Sequence, residues 1–211
     1  MKAFFVVVIV ILFSSQLKGQ TLTKKKLTKH DIRTGVLMKF YSSANDSYGT
    51  VELLLMKDRT FLYNLNAIAN NGVSQGKWEI ANGVLMLQSS LQIDNVPIEI
   101  SSDSNRRFVY KSNIAIVENT KHELLTDAVV LINEDSIKCL PMIGSCNGSF
   151  DRITRVKVVF ENGMSSKWIT IEGNKNKVAI TVLTDVPISR YIVMNKQRFI
   201  LSGKYLKKEC P

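Results

Sequence analysis

From residue 35 onward, apolar and polar positions change places at short range. Val51-Glu52-Leu53-Leu54-Leu55-Met56 reads as a buried strand, and Lys57-Asp58-Arg59 as a tight turn. Thr60 to Leu65 alternates, with Phe61, Tyr63 and Leu65 on one face, the period of a half-buried strand. Asn66 to Gln75 reads as a polar loop. Gly76-Lys77-Trp78-Glu79-Ile80 alternates again, and Asn82-Gly83 turns the chain into Val84-Leu85-Met86-Leu87. An Asn-Gly pair between two alternating runs is a hairpin signal, because both central residues must take positive φ.

The second half continues in this style. Arg106 to Lys111 alternates, and Ala128 to Ile132 is continuously apolar, as in a strand buried on both faces. Ile153 to Glu161 sets Val156, Val158 and Phe160 against Arg155 and Lys157. Further runs at 167–171, 177–182, 191–194, 198–201 and 204–206 complete the series. Short strands at about ten-residue spacing predict a sandwich or barrel. Helical signals are few, although Glu118 to Asp127 has the makings of one or two turns. The predicted class is all-β. A small N-terminal meander or barrel-like unit, 35–95, packs with a larger antiparallel sandwich, 106–208.

The N-terminal segment does not share this pattern. Lys2, the apolar run Ala3 to Phe13 and the polar stretch ending at Gly19 follow the layout of a secretory signal over residues 1–19. Eleven apolar residues are too few for a membrane-spanning helix, which needs about 20. Export and removal of this segment are therefore expected, in a periplasmic, cell-surface or extracellular setting. No transmembrane segment is expected in the mature chain.

Charge alters the picture next. The chain of 211 residues carries 28 Lys+Arg and 18 Asp+Glu. Residues 20–34 hold Lys24, Lys25, Lys26, Lys29 and Arg33 against Asp31, and read as a basic leader ahead of the fold. Such a run suits a solvated tail, or attraction to an anionic envelope component or glycan. Nucleic acid is not expected as a partner. The leader lacks the aromatics used for base stacking, and an exported protein meets little nucleic acid.

Cys139 and Cys146 flank a segment with Pro141 and Gly144, which favours a turn and a disulfide between them. Cys210 is then free or bonded to another chain; its pairing with either of the other two stays open. The two histidines, His30 and His122, stand in no metal or nucleophile motif. No catalytic residue, metal site or cofactor is assigned. Strand alternation sends Trp168 to the face opposite Ile169 and Ile171. Trp168 is thus the better candidate for a ligand contact, and Trp78 the better core residue.

Residues 49–88 resemble the lipocalin-like domains of secreted bacterial proteins, through Gly49-Thr50-Val51-Glu52-Leu53, Phe61, Gly76-Lys77-Trp78-Glu79-Ile80 and Leu85-Met86-Leu87. Residues 124–161, with Asp127-Ala128-Val129-Val130-Leu131, look distantly like a transthyretin-like or carboxypeptidase-regulatory-like sandwich. The leading expectation is a secreted, non-enzymatic binding or scaffolding module of the cell envelope. The first resemblance implies an alternative, a carrier with an apolar cavity lined from 51–88. A hydrolase with an unrecognised site is the third.

Overall fold

The computed structural model describes residues 21–42, 49–67, 71–101, 114–140 and 145–209. The signal-like segment, the run from Arg106 to Lys111 and Cys210 lie outside the described residues. The all-β class holds, and the chain builds two β-units in an order the sequence pattern does not announce.

The first unit is a closed, wholly antiparallel barrel. Its strands are β1 (Thr21–Lys25), β2 (Val36–Ser42), β3 (Thr50–Met56), β4 (Thr60–Asn66), β5 (Asn71–Ala81) and β6 (Val84–Ser89), followed much later by β15 (Gln197–Ser202) and β16 (Tyr205–Lys208). The order around the wall is β1-β16-β15-β6-β5-β4-β3-β2. Closure removes every sheet edge from this unit. The turns obey local chemistry. Asn82 and Gly83 take φ of 51° and 74°, as the hairpin requires. At the β3–β4 turn the Asp58 carboxylate accepts from the Thr60 amide at 3.0 Å and from its hydroxyl at 2.6 Å. Those two bonds hold the Asp58 pKa below the ordinary aspartate range.

Three sequence expectations are corrected here. Residues 21–34 of the expected leader are not free chain. Thr21–Lys25 is the strand that closes the barrel, pairing with β16 on one side and β2 on the other. One buried residue, Leu22, suffices for a strand so short, which is why no periodicity shows. Lys29–Arg33 forms a short helix, α1, started by a capping box between Thr28 and Asp31. Asn71 to Gln75, the second half of the expected polar loop, is strand, since β5 starts at Asn71 and pairs with β4 from Asn71 to Lys77. The third correction concerns the boundaries. Units of 35–95 and 106–208 misassign β1, β15 and β16, which belong to the barrel although β15 and β16 follow the sandwich in sequence.

Between β6 and β15 the chain makes a second unit, a two-layer sandwich. One layer is β11-β10-β9-β12-β13, from Ser145–Cys146, Lys138–Leu140, Ala128–Ile132, Ile153–Phe160 and Ile169–Lys175. The other is β7-β14-β8, from Ile98–Ser101, Val178–Val182 and Ala115–Asn119, with β14 and β8 parallel. Val130, Ile132, Val156 and Val158 of the first layer join Val117, Val178 and Ile180 of the second in one buried cluster. The helix expected over Glu118–Asp127 is absent. Glu118 bridges Leu124 across a turn in which His122 takes φ of 63°, so Leu124 and Leu125 follow an extended return. Cys139 and Cys146 are bonded, at an in-register position of β10 and β11 with Cα atoms 4.0 Å apart.

Both strands crossing between the units are clamped. Ser89 Oγ accepts from the Met194 amide at 2.9 Å and lies 2.9 Å from the Leu91 carbonyl. Tyr191 forms a parallel bridge with Val73 of β5, and the Ile192 amide donates to the Val73 carbonyl at 2.8 Å. Val73 packs on the sandwich core from the barrel's outer surface. The sandwich is thus docked along the lower half of β4 and β5, at the barrel end opposite α1.

Candidate functional site

Inside the barrel there is no room for cargo among the described residues. Phe40, Phe61, Phe199, Leu22, Leu53, Leu55, Leu85, Leu87 and Tyr63 fill it, and none is more than 6% exposed. Side chains lining an apolar pocket of ligand size would show accessible surface there. The carrier reading therefore lacks the cavity it needs over 51–88. Trp78 stops the barrel at the α1 end, half-buried, with its indole N–H donating to the Met56 carbonyl at 3.1 Å. Trp78 packs against the barrel core while staying partly exposed, and its N–H has the hydrogen-bond partner that burying an indole requires.

The outer wall over β2, β1, β16 and β15 is chemically distinctive. Side chains alternate in a strand, so Leu22, Phe40, Phe199 and Leu206 point inward and their neighbours outward. In register, Tyr41 lies opposite Thr23, and Thr23 opposite Tyr205. The adjacent row pairs Lys39 with Lys25, and on the other side Thr21 pairs with Lys207 and Lys207 with Ile200. Lys25 sits over the Tyr41 ring at 5.7 Å, within cation–π range. Lys24 joins Lys204 through a main-chain hydrogen bond of 2.7 Å.

Two basic side chains of this wall are neutralised. Lys39 bonds Glu52 at 2.7 Å and lies 3.7 Å from Asp31, and these carboxylates push its pKa up. Arg198 pairs with Glu209 at 2.8 Å. Lys24, Lys25, Lys26, Lys204, Lys207 and Lys208 are exposed and face no carboxylate among the described residues. Charge is partitioned accordingly. Residues 21–89 and 197–209 hold 13 Lys+Arg against 6 Asp+Glu, and residues 90–196 hold 13 against 12. The basic character thus belongs to the barrel as a folded surface and not to a tail. Sequence reading found Lys24, Lys25 and Lys26 but missed Tyr41, Tyr205, Lys204, Lys207 and Lys208. The run Lys204-Tyr205-Leu206-Lys207-Lys208 carried a signal, a short strand with one inward residue and the rest exposed.

Trp168 stands half-buried just before β13, in the same burial class as Trp78, so exposure does not single it out as the ligand contact. Arg155 stacks over its ring, with the guanidinium carbon 4.3 Å from the centroid. Arg155 is itself anchored by Nε donating to the Asn133 carbonyl at 2.7 Å. One face of the indole is therefore already covered. Ile171 packs toward the core, opposite to it.

Little is arranged for catalysis. Glu118 Oε1 lies 3.0 Å from His122 Nδ1, and the imidazole is exposed. No serine or cysteine is bonded to that ring among the described residues. No group of three or more His, Cys, Asp or Glu side chains among the described residues could hold a metal ion. No described helix is long and apolar enough to cross a membrane. No family, curated protein or solved structure matches this chain.

Proposed function

We propose that the protein is an exported, non-enzymatic binding module that attaches to an anionic component of the cell envelope through the barrel wall β15-β16-β1-β2. One observation carries this reading: Lys25 and Lys207 stand on the outward face that holds the row Tyr41–Thr23–Tyr205, while Lys24, Lys26, Lys204 and Lys208 are exposed at the strand ends and turns beside it, and none of the six has a carboxylate partner among the described residues. A concentration of like charges on one side of a folded surface attracts anions and is relieved by binding them. The tyrosines add rigid, amphipathic contact area at low entropic cost.

Binding to a sulfated polysaccharide column and co-sedimentation with anionic vesicles, each over a salt series, test the reading and separate a polymer from a lipid headgroup. Retention that weakens as salt rises, and is lost in Lys25→Glu/Lys207→Glu, is the expected result. Binding that is indifferent to salt, or to those substitutions, rejects it. Export is checked by mass spectrometry of the mature N-terminus, with cleavage after Gly19 as the expected outcome.

A further inference from the structure

Where the sandwich leans on the barrel, an open cleft of about 650 Å³ remains between them. Its floor is the outer face of β4 and β5, formed by Leu62, Asn64, Val73 and Gln75. Its roof is Thr120 together with the segment Leu183 to Pro187. A cleft of this size between two units is where small-molecule sites commonly form.

The lining has a definite chemistry. The side-chain amides of Asn64 and Gln75 make no hydrogen bond to any described residue, although each lies next to bonded backbone. On the roof, the Asp185 carboxylate is oriented by the Thr120 hydroxyl, which occupies one of its two oxygens. Leu62 and Leu183 are large apolar side chains left 39% and 45% exposed on opposite walls. Among the described residues no Lys or Arg lines the space. Two planar amides and one fixed carboxylate present paired donors and acceptors, and the leucines present flat aliphatic surface. That set repels an anion. It matches a ring that carries adjacent hydroxyls on its edge and C–H groups on its faces.

We infer that this cleft binds a neutral sugar, one or two rings long, with Asn64, Gln75 and Asp185 reading the hydroxyls and Leu62 and Leu183 covering the ring faces. The site is separate from the lysine wall and stands or falls independently of it.

The test is a titration of the full mature chain, followed by amide NMR shifts or calorimetry, with maltose, cellobiose and N,N′-diacetylchitobiose in turn. A saturable response to at least one disaccharide is expected, with shifted amides confined to residues 62–64, 73–75, 120 and 183–187. Gln75→Leu and Asp185→Ala are each expected to weaken it roughly tenfold, the cost of one lost or unpaired polar contact. Both side chains are exposed, so thermal midpoints close to that of the parent chain are expected. Lys25→Glu/Lys207→Glu should leave sugar binding unchanged, which separates this site from the wall. Absence of a saturable response to all three sugars overturns the inference. So does a response unaffected by both cleft variants, or saturable binding of putrescine at this cleft in place of sugar.

Discussion

The phenol of Tyr191 donates to the main-chain carbonyl of Gln75 at 2.8 Å, joining the end of the sandwich to the fifth strand of the barrel. The same oxygen accepts from the Leu91 amide at 3.3 Å, so one hydroxyl touches both strands of the crossing and the barrel wall. Tyr191→Phe removes this junction while keeping the ring in the sandwich core. A loss of about 1–2 kcal/mol is expected in denaturant unfolding. A single transition should split or broaden as the two units become less coupled.

Two buried serines of the barrel give opposite expectations. Ser89 Oγ accepts from the Met194 amide and serves the crossing, whereas Ser74 Oγ is buried with no partner among the described residues. Ser89→Ala should cost about 1–2 kcal/mol, through the amide left unsatisfied. Ser74→Ala removes an unpaired polar group and should be neutral or slightly stabilising. Chemical denaturation of the pair reads the contrast directly.

Deleting residues 21–34 is expected to open the barrel. It strips pairing from one edge of β2 and one of β16 and removes Leu22 from the core. The product should be aggregation-prone, as exposed strand edges are. Size-exclusion chromatography and circular dichroism check this; a monomer with an unchanged melting curve would restore the reading of that segment as a free leader.

Much of the barrel was legible locally. The alternation of Phe61, Tyr63 and Leu65, the Asn82-Gly83 turn and the Trp78 strand are all where sequence rules put them. Those features are set by neighbours a few residues away. The barrel's closure was not legible, because Thr21 meets Lys207 and Leu85 meets Phe199 through contacts that no local period encodes. The same limit applied to the lysine wall. Lys25 and Lys207 lie at opposite ends of the chain, and only the fold shows them on one face. Asn64 and Gln75 gave no sign in sequence, since an unpartnered amide differs from any polar strand residue only by what stands above it.

Acid should loosen the α1 end first. Hydrogen bonds from Thr28 hold the Asp31 pKa low, and bonds from Thr60 do the same for Asp58. Each carboxylate is depressed on folding, so its contribution is complete above the unfolded aspartate value of about 3.9. That contribution disappears as pH falls through the lower, folded value. Thermal midpoints are expected to fall below about pH 4. Asp31→Asn combined with Asp58→Asn should lower the midpoint at neutral pH and flatten the acid limb.

Gly76 and Gly83 separate two reasons for glycine. A Cβ on Gly76 would run into the Gln88 carbonyl and come within 2.6 Å of the Ser89 Cα. Backbone cannot yield as a side-chain tip does, so Gly76→Ala should cost about 2–3 kcal/mol or more. A Cβ on Gly83 meets nothing within 4 Å, and its φ of 74° is the sole obstacle. Gly83→Ala should cost about 1–2 kcal/mol. Urea midpoints of the two variants rank them.

Placing the sandwich between β6 and β15 also dictates a timetable. As the polypeptide emerges from its N-terminus, β1 to β6 wait with two unsatisfied margins until more than a hundred further residues have appeared. The inserted sheets can mature during that interval, and the final pair of strands then zips the cylinder shut. Such distant partners make the last step slow, since a long loop must be gathered before its contacts form. In refolding, protection of amides in β12 and β9 should precede that in β1 and β16.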